Sequence, residues 1–322
     1  MSPQFPPPAG SGPRVASLLP SATEMVCAVG ARDTLVGVSH ECDFPAGVSV
    51  LPVLTSSKVF TGAPSAEVDR NVRELLKDAL AVYDIDTAEL ERCAPDVIVT
   101  QDLCDVCAVS FADVEAAVKS TLTPDVRIVN LHPKVLADVW SDIRAVGSAL
   151  GRDAQAAAFL DAADARIAKV ADRAKAISDT PNVLTIEWLD PVMVGGTWMP
   201  ELVTLAGGHA LVTTPGEHAP TLSALELCAL DPAPDVVVIK PCGFKLEQPR
   251  KELDTIDALL ANVTWPAATS GRVYVADGNA FFNRPGPRLV ESLEIMAACV
   301  HPTEFADLAE KHATSFFKLD AR

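Results

Sequence analysis

Two short segments of this chain are nearly the same. Residues 95–107 read PDVIVTQDLCDVC and residues 234–242 read PDVVVIKPC. Each opens with a run of β-branched apolar residues, long enough for one strand buried on both faces. Such strands belong to parallel sheets covered by helices. Each run empties into a loop that carries cysteine, Cys104 and Cys107 in the first case and Cys242 in the second. In a chain of 322 residues the repeat points to two α/β lobes rather than one core.

The rest of the sequence supports that division. In the first lobe, strands are expected at 14–19, 35–39, near Val53 and Leu54, at 97–99 and at 127–132. Helices are expected around 68–80, 87–93 and 111–120. Ser21 and Glu24 have the spacing of a capping box at the start of the first helix. Residues 134–177 form an almost unbroken helical pattern with a joint at Gly151. They lack the sustained apolar seam of a coiled coil, so a stiff connector is expected. Strands then recur at 182–187, 209–212, 235–239 and 272–276. The division is a leader at 1–13, a lobe at 14–133, a connector at 134–180 and a second lobe at 181–322. In open α/β sheets ligands gather beyond the carboxyl ends of the strands, so both lobes should turn those ends to one cleft.

The formal net charge of −17 argues against nucleic acid, whose phosphates need cations, and against anionic lipid. No apolar run is long enough to cross a bilayer. The opening MSPQFPPPAGSGPR has neither the basic nor the apolar region of a secretory signal. The expectation is a cytoplasmic monomer, or a periplasmic or extracellular one if a signal precedes this sequence.

Cys27, Cys93, Cys228 and Cys299 fall within helical patterns and read as small buried hydrophobes. Cys42, Cys104, Cys107 and Cys242 instead follow strands. Four such thiolates could close a zinc site, hold an iron–sulfur cluster, or ligate the metal of an incoming complex. His40 reads equally as a metal ligand or as a loop histidine. Glu41 and Asp43 are expected to line the cleft, and Glu187 to accept hydrogen bonds from a ligand. Ser21 is a further polar contact. Trp188, Trp198, Phe244, Phe281 and Phe282 would offer flat apolar surfaces. No nucleophile elbow, zinc-protease motif, P-loop or dinucleotide fingerprint is present, so an enzyme is not expected.

The segments RVASLLPSATEMVCAVG, LVGVSHECDFP, APDVIVTQ and GRVYVADGNAFFNRPGPR, with the long helical stretch, resemble the class III substrate-binding proteins of ABC importers. The vitamin B12-binding branch is the nearest in pattern, and the resemblance runs from Arg14 to about residue 302. It implies two Rossmann-like lobes bridged by one long α-helix, with the ligand cleft between the lobes. It further implies a metal-bearing small molecule, a corrinoid such as cobalamin, and an ABC permease as partner. By the same resemblance Arg284 would meet a phosphate or carboxylate of the ligand. Glu89 or Glu91 and Glu226 would be the carboxylates that dock on the permease. A protein holding zinc, another soft metal or an iron–sulfur cluster through the four loop cysteines is the alternative.

Overall fold

The computed structural model describes residues 12–60, 62–77, 82–101, 111–122 and 125–321. The chain divides into two compact units. The first comprises residues up to Phe60, then Arg70–Pro133 and Ala137–Ala162; the second comprises Thr61–Asp69, Lys134–Leu136 and everything from Ala163.

The first unit is built on β1 (Val15–Ser17), α1 (Pro20–Ala28), β2 (Leu35–Val38), β3 (Thr55–Ser57), α2 (Ser65–Lys77), β4 (Tyr83–Ile85), α3 (Thr87–Cys93), β5 (Val97–Gln101), α4 (Phe111–Thr121) and β6 (Arg127–Leu131). Its sheet has the order β2-β1-β5-β6 and is parallel throughout. All five residues of β5 are buried, because a central parallel strand has helices on both faces. The apolar run that the sequence shows there is thus read correctly. Val53, expected in a strand, makes only an isolated bridge to Val38. The strand lies two residues further on, as β3, paired antiparallel with β4.

The expected helical stretch is α5 (Leu136–Ala149) followed by α6 (Asp153–Lys175). Gly151, at φ 65°, takes the left-handed turn between them that a side chain would resist. The connecting helix is therefore α6, whose residues are shared between the two units. Two short segments join the second unit through hydrogen bonds. Ser65 donates from its backbone N–H and its hydroxyl to Glu252, and Gln248 Nε2 donates to the Ala63 carbonyl at 2.8 Å. The backbone N–H of Leu136 donates to Glu201 Oε2 at 2.7 Å.

The second unit adds β7 (Asn182–Trp188), β8 (Met193–Val194), α7 (Met199–Leu205), β9 (His209–Ala210), α8 (Ala224–Cys228), β10 (Val236–Ile239), α9 (Glu247–Lys251), α10 (Leu253–Ala261), α11 (Pro266–Thr269), β11 (Val273–Ala276), α12 (Leu289–Val300), α13 (Ala306–Lys311) and β12 (Phe316–Lys318). Its sheet runs β12-β11-β10-β7-β8, with β9 beside β7. The strand at 272–276, expected to be the last, is followed by β12, which pairs antiparallel with β11. Alternate residues Leu184, Ile186, Val237, Ile239, Val273 and Val275 pack on Ile256, Leu260 and Trp265, the period-2 pattern of one sheet face. Helix α12 is buried along almost its whole length. Its Glu294 is surrounded by Arg166, Lys311 and His312 at 2.7–2.9 Å.

Candidate functional site

In the first unit the polar groups collect where β1, β2 and β5 end. Beyond β2, the Thr55 hydroxyl donates to Ser39 Oγ at 3.0 Å. Its Oγ1 also accepts from the His40 backbone N–H at 3.2 Å and lies 2.8 Å from His40 Nδ1. This contact holds the ring by its Nδ1 side. Burial lowers the imidazole's pKa below its ordinary value, and the carboxylate of Glu41 works against that shift. The Tyr83 ring stands 5.5 Å from the imidazole, and its hydroxyl donates to Glu41 Oε1 at 3.3 Å. An imidazole held by Nδ1 in this way has Nε2 as its candidate metal-binding nitrogen.

The neighbouring candidates divide. Asp43 is exposed. Cys42 is buried, with its sulfur 3.1 Å from Thr23 Oγ1. Ser21 does not cap its helix: Leu19 is the N-cap, without a side-chain bond, and Pro20 occupies the first turn. Proline's fixed φ starts the helix two residues earlier than a cap at Ser21 would. Among the described residues the buried Ser21 hydroxyl has no partner, and neither have Thr100 Oγ1 and Gln101 Oε1 at the end of β5.

In the second unit a lysine missed by sequence reasoning organises the strand ends. Lys240 follows β10 directly and has no exposed surface. Its ammonium donates to Glu187 Oε2 and Asn283 Oδ1, each at 2.9 Å. Asn283 in turn donates to the carbonyls of Lys240 and Gly278. A Cβ on Gly278 would run into the Pro241 carbonyl, so glycine is required at this close approach. Arg284, 9% exposed, donates to Asn279 Oδ1 at 2.9 Å. Burial raises the pKa of Asp277; the N–H groups of Ala280 and Asn279, then Arg284, oppose the rise.

The aromatic candidates divide by burial. Trp188 remains half-buried and packs on Phe244 at 5.0 Å between ring centres, while its indole N–H is buried without a partner. Phe281 is also half-buried, with the Arg288 guanidinium 5.4 Å above its ring. Trp198, Phe244 and Phe282 are instead core residues, at 4%, 1% and 0% exposure. The Trp198 indole donates to the Phe282 carbonyl at 2.7 Å, so these rings stabilise the loop rather than present a face. Cys242 is exposed, and its backbone N–H donates to the Glu187 carbonyl. Cys104 and Cys107 lie outside the described residues. Among the described residues no three His, Cys, Asp or Glu side chains gather as a metal site. Glu226 completes a capping box with Ser223, and Glu89 pairs with Arg92.

Two units with mainly parallel sheets, joined by a connecting helix, carry these polar strand ends. Residues 15–280 match the family model described as Periplasmic binding protein, and the chain belongs to that family. Solved structures agree on the fold. A periplasmic haem-binding protein from Pseudomonas aeruginosa is 21% identical, with 96% of each chain covered and a TM-score of 0.69. The periplasmic haem-binding protein RhuT from Roseiflexus sp. RS-1 is 19% identical over 93% of this chain and 100% of its own, with a TM-score of 0.65. The periplasmic vitamin B12-binding protein BtuF of Vibrio cholerae is 17% identical over 93% and 98%, with a TM-score of 0.62. No curated protein matches the chain.

Proposed function

We propose that this protein is the receptor of an ABC importer for a metal-containing tetrapyrrole, a corrinoid such as cobalamin foremost and haem next. The observation that carries the reading is His40. Its Nδ1 is hydrogen-bonded to Thr55, which makes Nε2 the nitrogen suited to an axial position on cobalt or iron. The printed names of the structural relatives, which include both haem and vitamin B12 binders, favour this ligand class. The half-buried rings of Trp188 and Phe281 add flat apolar surface suited to a macrocycle. Glu187, fixed by Lys240, supplies an acceptor for ligand amides.

Titration of the purified protein with aquocobalamin and with haemin tests the reading. Tight binding should shift the visible spectrum of the chelate towards an imidazole-ligated form, and His40→Ala should abolish the shift. No spectral or calorimetric change with either chelate at about 100 μM, far above a useful receptor affinity, would reject it.

A further inference from the structure

We propose that Glu41 makes the His40 site selective for the oxidised, more positively charged form of the metal chelate. The proposal rests on the tetrapyrrole reading above and adds the oxidation state of what is bound.

His40 and Glu41 are the two central residues of one turn. The Cys42 N–H closes it on the Ser39 carbonyl at 3.0 Å, the bond typical of a β-turn. Both flanks of the turn are fixed. Ser39 Oγ accepts from the Glu41 backbone N–H at 3.3 Å and from the Thr55 hydroxyl at 3.0 Å. Cys42 is 4% exposed, with its sulfur against Thr23. The imidazole is exposed at the tip, and Glu41 is half-buried beside it.

Tyr83 touches both side chains. Its ring stands 5.5 Å from the imidazole, while its hydroxyl donates to Glu41 Oε1 at 3.3 Å. Neighbouring residues of a turn can point apart; the shared tyrosine brings this carboxylate to the imidazole's side. The charge is felt there, because Glu41 raises the pKa of His40 against the larger, opposite effect of desolvation. The lysine and arginine nearest in sequence are engaged elsewhere. Arg32 donates to the Ala46 carbonyl, and Lys58 pairs with Asp84 at 2.9 Å.

A chelate on His40 would therefore meet a fixed negative charge close to its metal. The core of an Fe(III) porphyrin carries one net positive charge and that of an Fe(II) porphyrin none. Co(III) in a corrin likewise carries one more than Co(II). Coulomb attraction favours the higher charge, and groups around an axial ligand tune a metal's potential in this way. Because the turn is partly open to solvent, the preference is about threefold to tenfold rather than the far larger one of a dry interior.

The test measures affinity for haemin and aquocobalamin, each also after one-electron reduction without air, and the midpoint potential of the bound chelate. Glu41→Gln keeps an acceptor for Tyr83 but loses the charge. It should weaken the oxidised form about threefold to tenfold more than the reduced form. The midpoint potential should rise accordingly by roughly 30–60 mV, at about 59 mV per tenfold for one electron. Glu41→Asp, which keeps the charge, should stay closer to the wild-type potential. Should Glu41→Gln fail to fold, Tyr83→Phe, which keeps the ring and removes one hold on the carboxylate, should move the potential the same way. An equal loss of both oxidation states in Glu41→Gln would make Glu41 merely structural and overturn the selectivity. An unchanged potential in folded Glu41→Gln, or in Tyr83→Phe where it stands in, overturns it too. Failure of every oxidised chelate to bind overturns the tetrapyrrole reading instead.

Discussion

Lys240 Nζ lies 2.9 Å from Glu187 Oε2, and the lysine carries no solvent-exposed surface while the glutamate side chain keeps 22% of its own. A buried ammonium is tolerated only when it is paired and hydrogen-bonded. Removing the acid alone should therefore be the harsher change. Glu187→Ala is expected to lower unfolding free energy by about 3–5 kcal/mol. Lys240→Met combined with Glu187→Gln should recover most of that loss. Urea unfolding of the three proteins checks the order; a double variant no more stable than Glu187→Ala would contradict it.

His40 sets the pH response of ligand binding. Desolvation lowers its pKa from the ordinary value, with Glu41 opposing, so the imidazole should take up its second proton only at more acid pH than a free one. Affinity for an aquo chelate should be flat above pH 6.5 and fall only at more acid pH, as a proton competes with the metal. In His40→Ala that acid limb should be absent.

Glu294 should shape acid stability. Burial alone would raise its pKa, but hydrogen bonds from His312, Lys311 and Arg166 outweigh it and hold the carboxyl down to about 2. A folded pKa below the ordinary 4.5 gives stability that is present above pH 4.5 and is lost as pH falls through about 2. The full effect is about 3 kcal/mol. Glu294→Gln should flatten this limb of the pH–stability curve.

Asp142 behaves in the opposite sense. Burial raises its pKa to about 7, against a hydrogen bond from the His132 backbone and with help from Asp138. Its Oδ2 is buried without a partner. Because the folded pKa lies above the unfolded one, its contribution is intact at acid pH and lost as pH rises through 7. Asp142→Asn should raise stability at pH 8 by about 1–2 kcal/mol and change little at pH 4. Thermal melts at the two pH values decide this.

Gly278→Ala should destabilise the second unit by about 1–3 kcal/mol, the usual cost of overpacking. The added Cβ meets backbone carbonyls of Pro241 and Lys240, which cannot swing aside as a side-chain tip could. A melting temperature unchanged from wild type would show that the loop gives way.

The sequence made the central strands legible because β5 and β10 are continuous β-branched runs buried on both faces, a signal independent of distant residues. The extent of α3, expected at 87–93, was readable as well. The edges were not. Strands β8 and β9 have two residues each, too few for a period, and β12 is only partly buried. At the site, the loop bearing His40 could be found, but its hydrogen-bond partner could not, since Thr55 comes from another strand. Lys240 looked like an ordinary loop lysine. Only the folding of Asn283 and Glu187 against it reveals what it does. Trp198 and Phe282 failed for a related reason: an aromatic residue near a strand end is equally suited to face a ligand or to support the loop.

The parallel pairing of β1 with β5 has a consequence for the newborn chain. Val15 has one permanent neighbour at Leu35, and the other, Val97, is made only much later. During translation the first strand waits with one edge bare while the intervening polypeptide emerges, an interval in which sticky, half-assembled species accumulate. Slowing the ribosome between codons 40 and 95 should lower the soluble yield, whereas a pause after codon 135 should leave it unaffected.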